Sequence, residues 1–159
     1  PNTVYGVATV QEEIGLRGAT TSAEKVQPDL AFALDVGIAR DTPGFKTNER
    51  NPEKLGGGPS ILMLEAGAVA HPRLARFVID VAEAEKIPHH ITTITGGGTD
   101  SNRFQISGHG TPSLAICVPS RYIHSHSSIV DRRDYDNALK LLVAVVKRLD
   151  AAAVSKIRG

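Results

Sequence analysis

The run Leu30-Ala31-Phe32-Ala33-Leu34 is apolar at every position and is closed by Asp35. A stretch without polar alternation reads as a strand buried on both faces, with its polar residue emerging at the carboxyl end. A sheet buried on both faces needs helices to cover it, and the rest of the chain supplies them. Leu74, Phe77, Val78 and Val81 recur at helical spacing between Pro72 and Pro88, which predicts a helix opened by one proline and stopped by the other. Leu139, Leu142, Val143, Val146 and Leu149 form a single stripe, predicting an amphipathic terminal helix from Asp136 to about Leu149. A short helix is expected over 16–26.

Further strands are expected at 4–10, 61–64, 90–95 and 113–118, where β-branched and small apolar residues cluster. The glycine- and proline-rich stretch 38–59 reads as a long loop. Strands alternating with helices imply an α/β fold, a mixed, largely parallel sheet flanked by helices. In such sheets ligands collect at the carboxyl ends of strands.

Composition narrows the chemistry. The 159 residues carry 18 Lys and Arg against 17 Asp and Glu, so there is no electrostatic case for nucleic acid or an anionic membrane surface. No apolar run approaches the roughly 20 residues that span a bilayer. Cys117 is the only cysteine, which excludes an internal disulfide and a cysteine zinc cage within this chain. A lone thiol suits a reducing, cytoplasmic setting, and within an apolar strand Cys117 reads as inert core. The P-loop, Gly-x-Ser-x-Gly, His-Glu-x-x-His and Gly-x-Gly-x-x-Gly signatures are all missing from the sequence.

What remains is a set of polar residues at predicted strand ends: Glu12 and Glu13, Asp35, Asp100 and His124. A hydrolytic metal site needs carboxylate and imidazole ligands and a free carboxylate to take a proton from water. Where a strand breaks into a loop, two neighbouring glutamates can serve one site in different roles. Each residue also has an ordinary reading: an acidic surface pair, a helix cap at Asp35, and a loop histidine. Gly96 to Asp100 reads either as a tight turn with a cap at Thr99 or Asp100, or as a backbone wall of a cleft. Arg121 reads as the partner of a carboxylate or as a substrate contact. His71, His89, His90, His109 and His126 read as surface, loop or capping residues.

Four phrases decide between these readings: Val-Gln-Glu-Glu-Ile-Gly-Leu-Arg-Gly-Ala (10–19), Ala-Leu-Asp-Val-Gly (33–37) with Asp-Thr-Pro-Gly (41–44), Gly-Gly-Thr-Asp (97–100) and Pro-Ser-Arg-Tyr-Ile-His-Ser (119–125). In this order and spacing they resemble the glutamyl and tetrahedral (TET) aminopeptidase family of dinuclear metallopeptidases. The resemblance runs from Tyr5 to the final helix. It implies Glu12 as the general base, Glu13 and His124 as ligands of one metal, and Asp35 as a ligand of the second. It also implies two divalent ions per site, zinc or cobalt, peptide substrates, and homo-oligomers of the dodecameric kind. A further His and a bridging Asp, which the family carries upstream of the Glu-Glu pair, have no counterpart here, nor does the inserted dimerisation domain. With its start at Pro1, the chain is therefore expected to be the carboxyl-terminal portion of a catalytic domain, inactive on its own. The expected function is removal of amino-terminal residues from peptides through water activated by two metals. The alternatives are a deacylase or deglycase acting on modified amino groups, or a catalytically silent subunit or fragment.

Overall fold

The computed structural model describes residues 2–45 and 52–159; part of the loop expected over 38–59 lies outside them. Its centre is a six-stranded mixed sheet. The strands are β1 (Ala31–Ile38), β2 (Ser60–Glu65), β3 (Ala68–Val69), β4 (His90–Thr93), β5 (Ser113–Arg121) and β6 (Ile129–Val130). Their order is β1-β5-β2-β3, with β4 also paired to β2 and β6 to β5. The longest pairing is parallel, Ala31 opposite Ser113 through Ile38 opposite Ser120. The β2–β4 pair is parallel as well, while β2 meets β5 and β3 antiparallel.

The helices are α1 (Arg17–Val26), α2 (Pro72–Ala84), α3 (Ser101–Gln105), α4 (Arg132–Arg148) and α5 (Ala151–Arg158). Pro72 sits in the first turn of α2, where a missing N–H removes no helical bond, and Leu74, Ala75, Val78, Ile79, Val81 and Ala82 are buried. These pack with Ile61, Leu114, Ile116, Leu141, Val145 and Ile157 into the main core, which joins α2, α4 and α5 to one face of the sheet. The opposite face carries only a small cluster, Ala33, Leu62, Ala115 and Cys117, with Ile94 against it. A hollow lies on this side, lined in part by Leu62 and Ile94, and α1 and α3 pack together.

Several expectations are corrected. Residues 4–10 form no ladder with any described strand, and Val4, Tyr5, Val7 and Val10 are 65%, 65%, 49% and 67% exposed. β propensity without a partner strand does not make a strand. The β1 run is not covered on both faces, since Leu34 and Val36 are exposed, and among the described residues β5 is the one strand paired with β1. The same strand continues past Asp35 to Ile38, which places that carboxylate within the strand rather than at its end. β5 runs through Pro119 to Arg121, with pairing maintained on both sides of the proline. Finally, α4 begins at Arg132, ahead of the apolar stripe, because Asp131 caps it by accepting from the Arg133 N–H at 2.8 Å. Neither α5 nor α3 has an apolar periodicity long enough to announce it; α5 is started by Asp150, which accepts from the Ala153 N–H at 2.8 Å.

Candidate active site

The hollow on the thinly covered face is a cleft of about 550 Å³. Glu12, Glu13, Asp35 and His124 all line it, together with Gly96, Gly97, Gly98 and Thr99. The four candidate residues arrive by three routes. Glu12 and Glu13 lie in the turn ahead of α1, whose first amides anchor it: the Leu16 N–H donates to Glu12 O at 2.9 Å and the Gly18 N–H to Val10 O at 2.9 Å. A side chain at Gly18 would stand 2.4 Å from the Val10 nitrogen, so glycine alone permits this approach. Asp35 shares a strand face with Ala33 and Gly37, and its Oδ1 accepts from the Val36 N–H at 2.7 Å. It caps no helix.

His124 sits in the turn after β5, where both Tyr122 and His124 have φ of 60°. Ser125 braces that turn, donating from its N–H and its hydroxyl to Tyr122 O at 3.2 and 2.6 Å. The turn brings the His124 Nδ1 to 3.5 Å from the Glu13 Oε1, with both side chains open to solvent. Non-glycine residues with positive φ are uncommon and collect where the surrounding structure has a use for them. Here they occur in two of the three segments that carry candidate ligands, Gln11 and Leu16 in one and Tyr122 and His124 in another.

Crowded carboxylates disfavour their own charge. Burial, then the charges of Asp35, Asp100 and Glu13, push the Glu12 carboxyl above its ordinary range, against a smaller opposing pull from His124. The Asp35 carboxyl is also raised, by burial first, then by Asp100 and Glu13, with the Val36 N–H working the other way. A cation would relieve both. Two carboxylates and an imidazole are the donor types that a borderline dication takes, and they fit as part of a ligand set. The set is incomplete: among the described residues no three His, Cys, Asp or Glu side chains are grouped to cage an ion.

The remaining candidates separate clearly. Asp100 caps nothing with its side chain; it accepts from the Thr9 hydroxyl at 2.6 Å, and its other oxygen is buried without a partner. Thr99 supplies the turn instead, accepting from the Ser101 N–H at 3.2 Å. Arg121 makes a two-pronged ion pair with Asp41, at 3.0 and 2.7 Å, which holds the Asp41 carboxyl below its ordinary range. Cys117 is fully buried, and its thiol is pushed well up by burial. His71 stands at the start of α2 without capping it, His90 is buried beside the Lys54 N–H, and His109 and His126 are exposed.

Three buried carboxylates carry structure that the sequence reading passed over. Glu65 accepts from the Thr99 N–H at 2.7 Å and from the Thr99 and Ser101 hydroxyls, organising the glycine wall. It closes the apolar run of β2 as Asp35 follows that of β1, so the same signal was available. Asp134 accepts from the Gly56 and Gly58 N–H groups at 2.8 and 2.7 Å. Glu53 is 1% exposed and lines the cleft. Nothing local distinguishes these last two from solvated charges.

Comparison with known sequences gives the architecture its lineage, since the profile of the M42 glutamyl aminopeptidases matches residues 1–141. The chain belongs to the M42 glutamyl aminopeptidase family. It is 37% identical over 147 residues to the lysyl aminopeptidase of Pyrococcus furiosus, covering 92% of this chain and 41% of that protein. The crystal structure of a TET aminopeptidase from the marine sediment archaeon Thaumarchaeota archaeon SCGC AB-539-E09 superposes with a TM-score of 0.89 at 41% identity, covering 94% of this chain and 41% of the other. A Pyrococcus horikoshii TET1 structure, a dodecamer, matches with a TM-score of 0.75 at 36% identity, covering 89% of this chain and 40% of that one. The M42 chain thus spans about two fifths of the length of these relatives. No helix among its described residues is long and apolar enough to cross a membrane.

Proposed function

We propose that the protein carrying this chain is a metal-dependent aminopeptidase that removes amino-terminal residues from peptides, with Glu12 as its general base. The observation that carries the reading is the convergence of Glu12, Glu13, Asp35 and His124 on one cleft from three separate segments. Glu13 and His124 would hold one divalent ion, zinc or cobalt, and Asp35 would contribute to a second. Bound ions would supply Lewis acidity toward water and the scissile carbonyl.

The chain's own groups do the rest. Glu12, half-buried and with its proton affinity raised, accepts a proton from the attacking water and returns it to the departing amine, so no net proton is gained or lost. The glycine backbone at 96–98 flanks the substrate without side chains to obstruct it. The names of the relatives favour peptide hydrolysis over deacylation, and the dodecameric relative supports a homo-oligomeric assembly.

The test uses a polypeptide in which this chain is extended to the full length of its relatives. Stepwise release of free amino acids from a short peptide is expected, abolished by a chelator and restored by zinc or cobalt. Activity that survives complete metal removal, or cleavage only at internal bonds, would overturn the reading.

A further inference from the structure

Residues 2–10 join no described strand, and Thr9 is the one residue among them that is not exposed. Its hydroxyl donates to the Asp100 Oδ2 at 2.6 Å, a link across 91 positions of sequence. On the far side of the glutamate pair, the Gly15 carbonyl accepts from the Arg103 Nη2 at 3.3 Å. Thr9 and Gly15 stand three positions on either side of Glu12, so two arms from the start of α3 take hold of the turn, one on each flank. The bonds from the Leu16 and Gly18 N–H groups to Glu12 O and Val10 O fix the shape of that turn. The bonds to α3 fix where it lies against the cleft.

The start of α3 is itself firmly anchored to the sheet. Glu65 of β2 accepts from the Thr99 N–H and the Ser101 hydroxyl, and Ser113 of β5 donates from its hydroxyl to Ser101 O at 2.9 Å. The Asn102 Nδ2 donates to Ala66 O at 3.2 Å, and Ser101 is 3% exposed. Asp100 has no local use for its carboxylate: it caps no helix with it, and its charge burdens Glu12 and Asp35. Among the described residues the bond from Thr9 is the one its side chain makes. Proton transfer depends on placement, and a shift of about 1 Å in a reacting group can cost about a hundredfold in rate. We propose that Asp100 is a positioning residue for the Glu12–Glu13 pair, with α3 as a clamp on the turn and Arg103 as its second arm. This rests on the aminopeptidase reading above and adds to that site a residue that acts through Thr9.

The test uses the polypeptide extended to the full length of the relatives, with two readouts. In hydrogen exchange without added metal, Thr9→Val removes the donor at constant shape and should speed exchange at the Leu16 and Gly18 amides about fivefold to tenfold, with α2 unchanged. In hydrolysis of leucyl p-nitroanilide at saturating zinc, Thr9→Val and Asp100→Ala should each lower kcat about tenfold to a hundredfold, with KM within about twofold. Asp100→Asn, whose carboxamide oxygen still accepts from Thr9, should keep kcat within about threefold of the unsubstituted value. The double variant Thr9→Val/Asp100→Ala should be no slower than the worse single one, since both remove the same bond. Exchange that is unchanged in Thr9→Val, or that accelerates equally in α2, overturns the proposal. So does an Asp100→Asn variant as slow as Asp100→Ala, because the charge and not the bond would then matter. No hydrolysis by the unsubstituted polypeptide, with the exchange response intact, defeats the aminopeptidase reading and leaves the clamp standing.

Discussion

The two faces of the sheet are built on opposite terms. On one, α2, α4 and α5 bury Ile61, Leu74, Val78, Leu114, Ile116, Leu141 and Val145 in a continuous apolar core. On the other lies a smaller apolar cluster, and the cleft is lined by Glu12, Glu13 and Asp35, where burial first and neighbouring carboxylates second raise the proton affinity of Glu12 and Asp35. The cleft side also has Gln11, Leu16, Tyr122 and His124 in left-handed backbone conformations, each costing roughly 1 kcal/mol or more. The lesson is a division of labour: the packed face supplies the stability that lets the other be strained and acidic.

Substitutions on the two faces should therefore fail in different ways. The largest expected effect is on the cleft side. Glu12→Gln keeps the shape of the side chain but cannot accept a proton, so turnover by a polypeptide extended to the full length of the relatives should drop about a hundredfold to ten-thousandfold, with metal content and thermal midpoint unchanged. Near-normal turnover in a metal-loaded variant would remove Glu12 from its role. On the packed face, Leu74→Ala deletes a fully buried side chain and should cost about 2–5 kcal/mol in denaturant unfolding. If it costs no more than substitution of an exposed residue such as Leu139, the division drawn here collapses.

The boundary between the faces can be probed at Asp134, which comes from α4 but clamps the loop before β2 through two backbone amides. In Asp134→Asn one of these amides meets an NH₂ group instead of an acceptor, for a loss of about 1–3 kcal/mol. Hydrogen exchange should accelerate at Gly56 and Gly58 before it does in α2; uniform acceleration would show that the clamp belongs to the core alone. The smallest effect is expected at the rim. Arg121 holds the Asp41 carboxyl below its ordinary value of 3.8, so this pair stabilises the fold above that pH and loses its contribution as pH falls through the depressed value. Asp41→Asn should lower the thermal midpoint by roughly 2–4 °C at pH 7, and the gap from the unsubstituted protein should close in strong acid. A gap that widened on acidification would reverse the assignment.

Much of this could be read along the chain. Local periodicity and punctuation carried α2, where Pro72 and Pro88 bracket an apolar stripe, and most of α4; the residue types at 12, 13, 35 and 124 carried the candidate chemistry. These are near-neighbour properties, set by side-chain spacing, caps and breakers within a few residues. Pairing is different, because it depends on what stands beside a segment in space. Residues 4–10 have the composition of a strand and no described partner, Leu34 has the composition of a core residue and lies on an edge, and Pro119 looks like a stop yet sits within a continuing ladder. The fate of an isolated charge is equally non-local. Glu53 and Asp134 look like solvated acids, and only the fold shows that one is buried beside the cleft, accepting from the Thr92 hydroxyl, while the other binds two amides more than 70 positions away. The sequence by itself determined the longer periodic elements and the chemical types available to the site; tertiary structure decided which segments pair and which groups meet, because burial and hydrogen-bond partners are properties of the assembled fold.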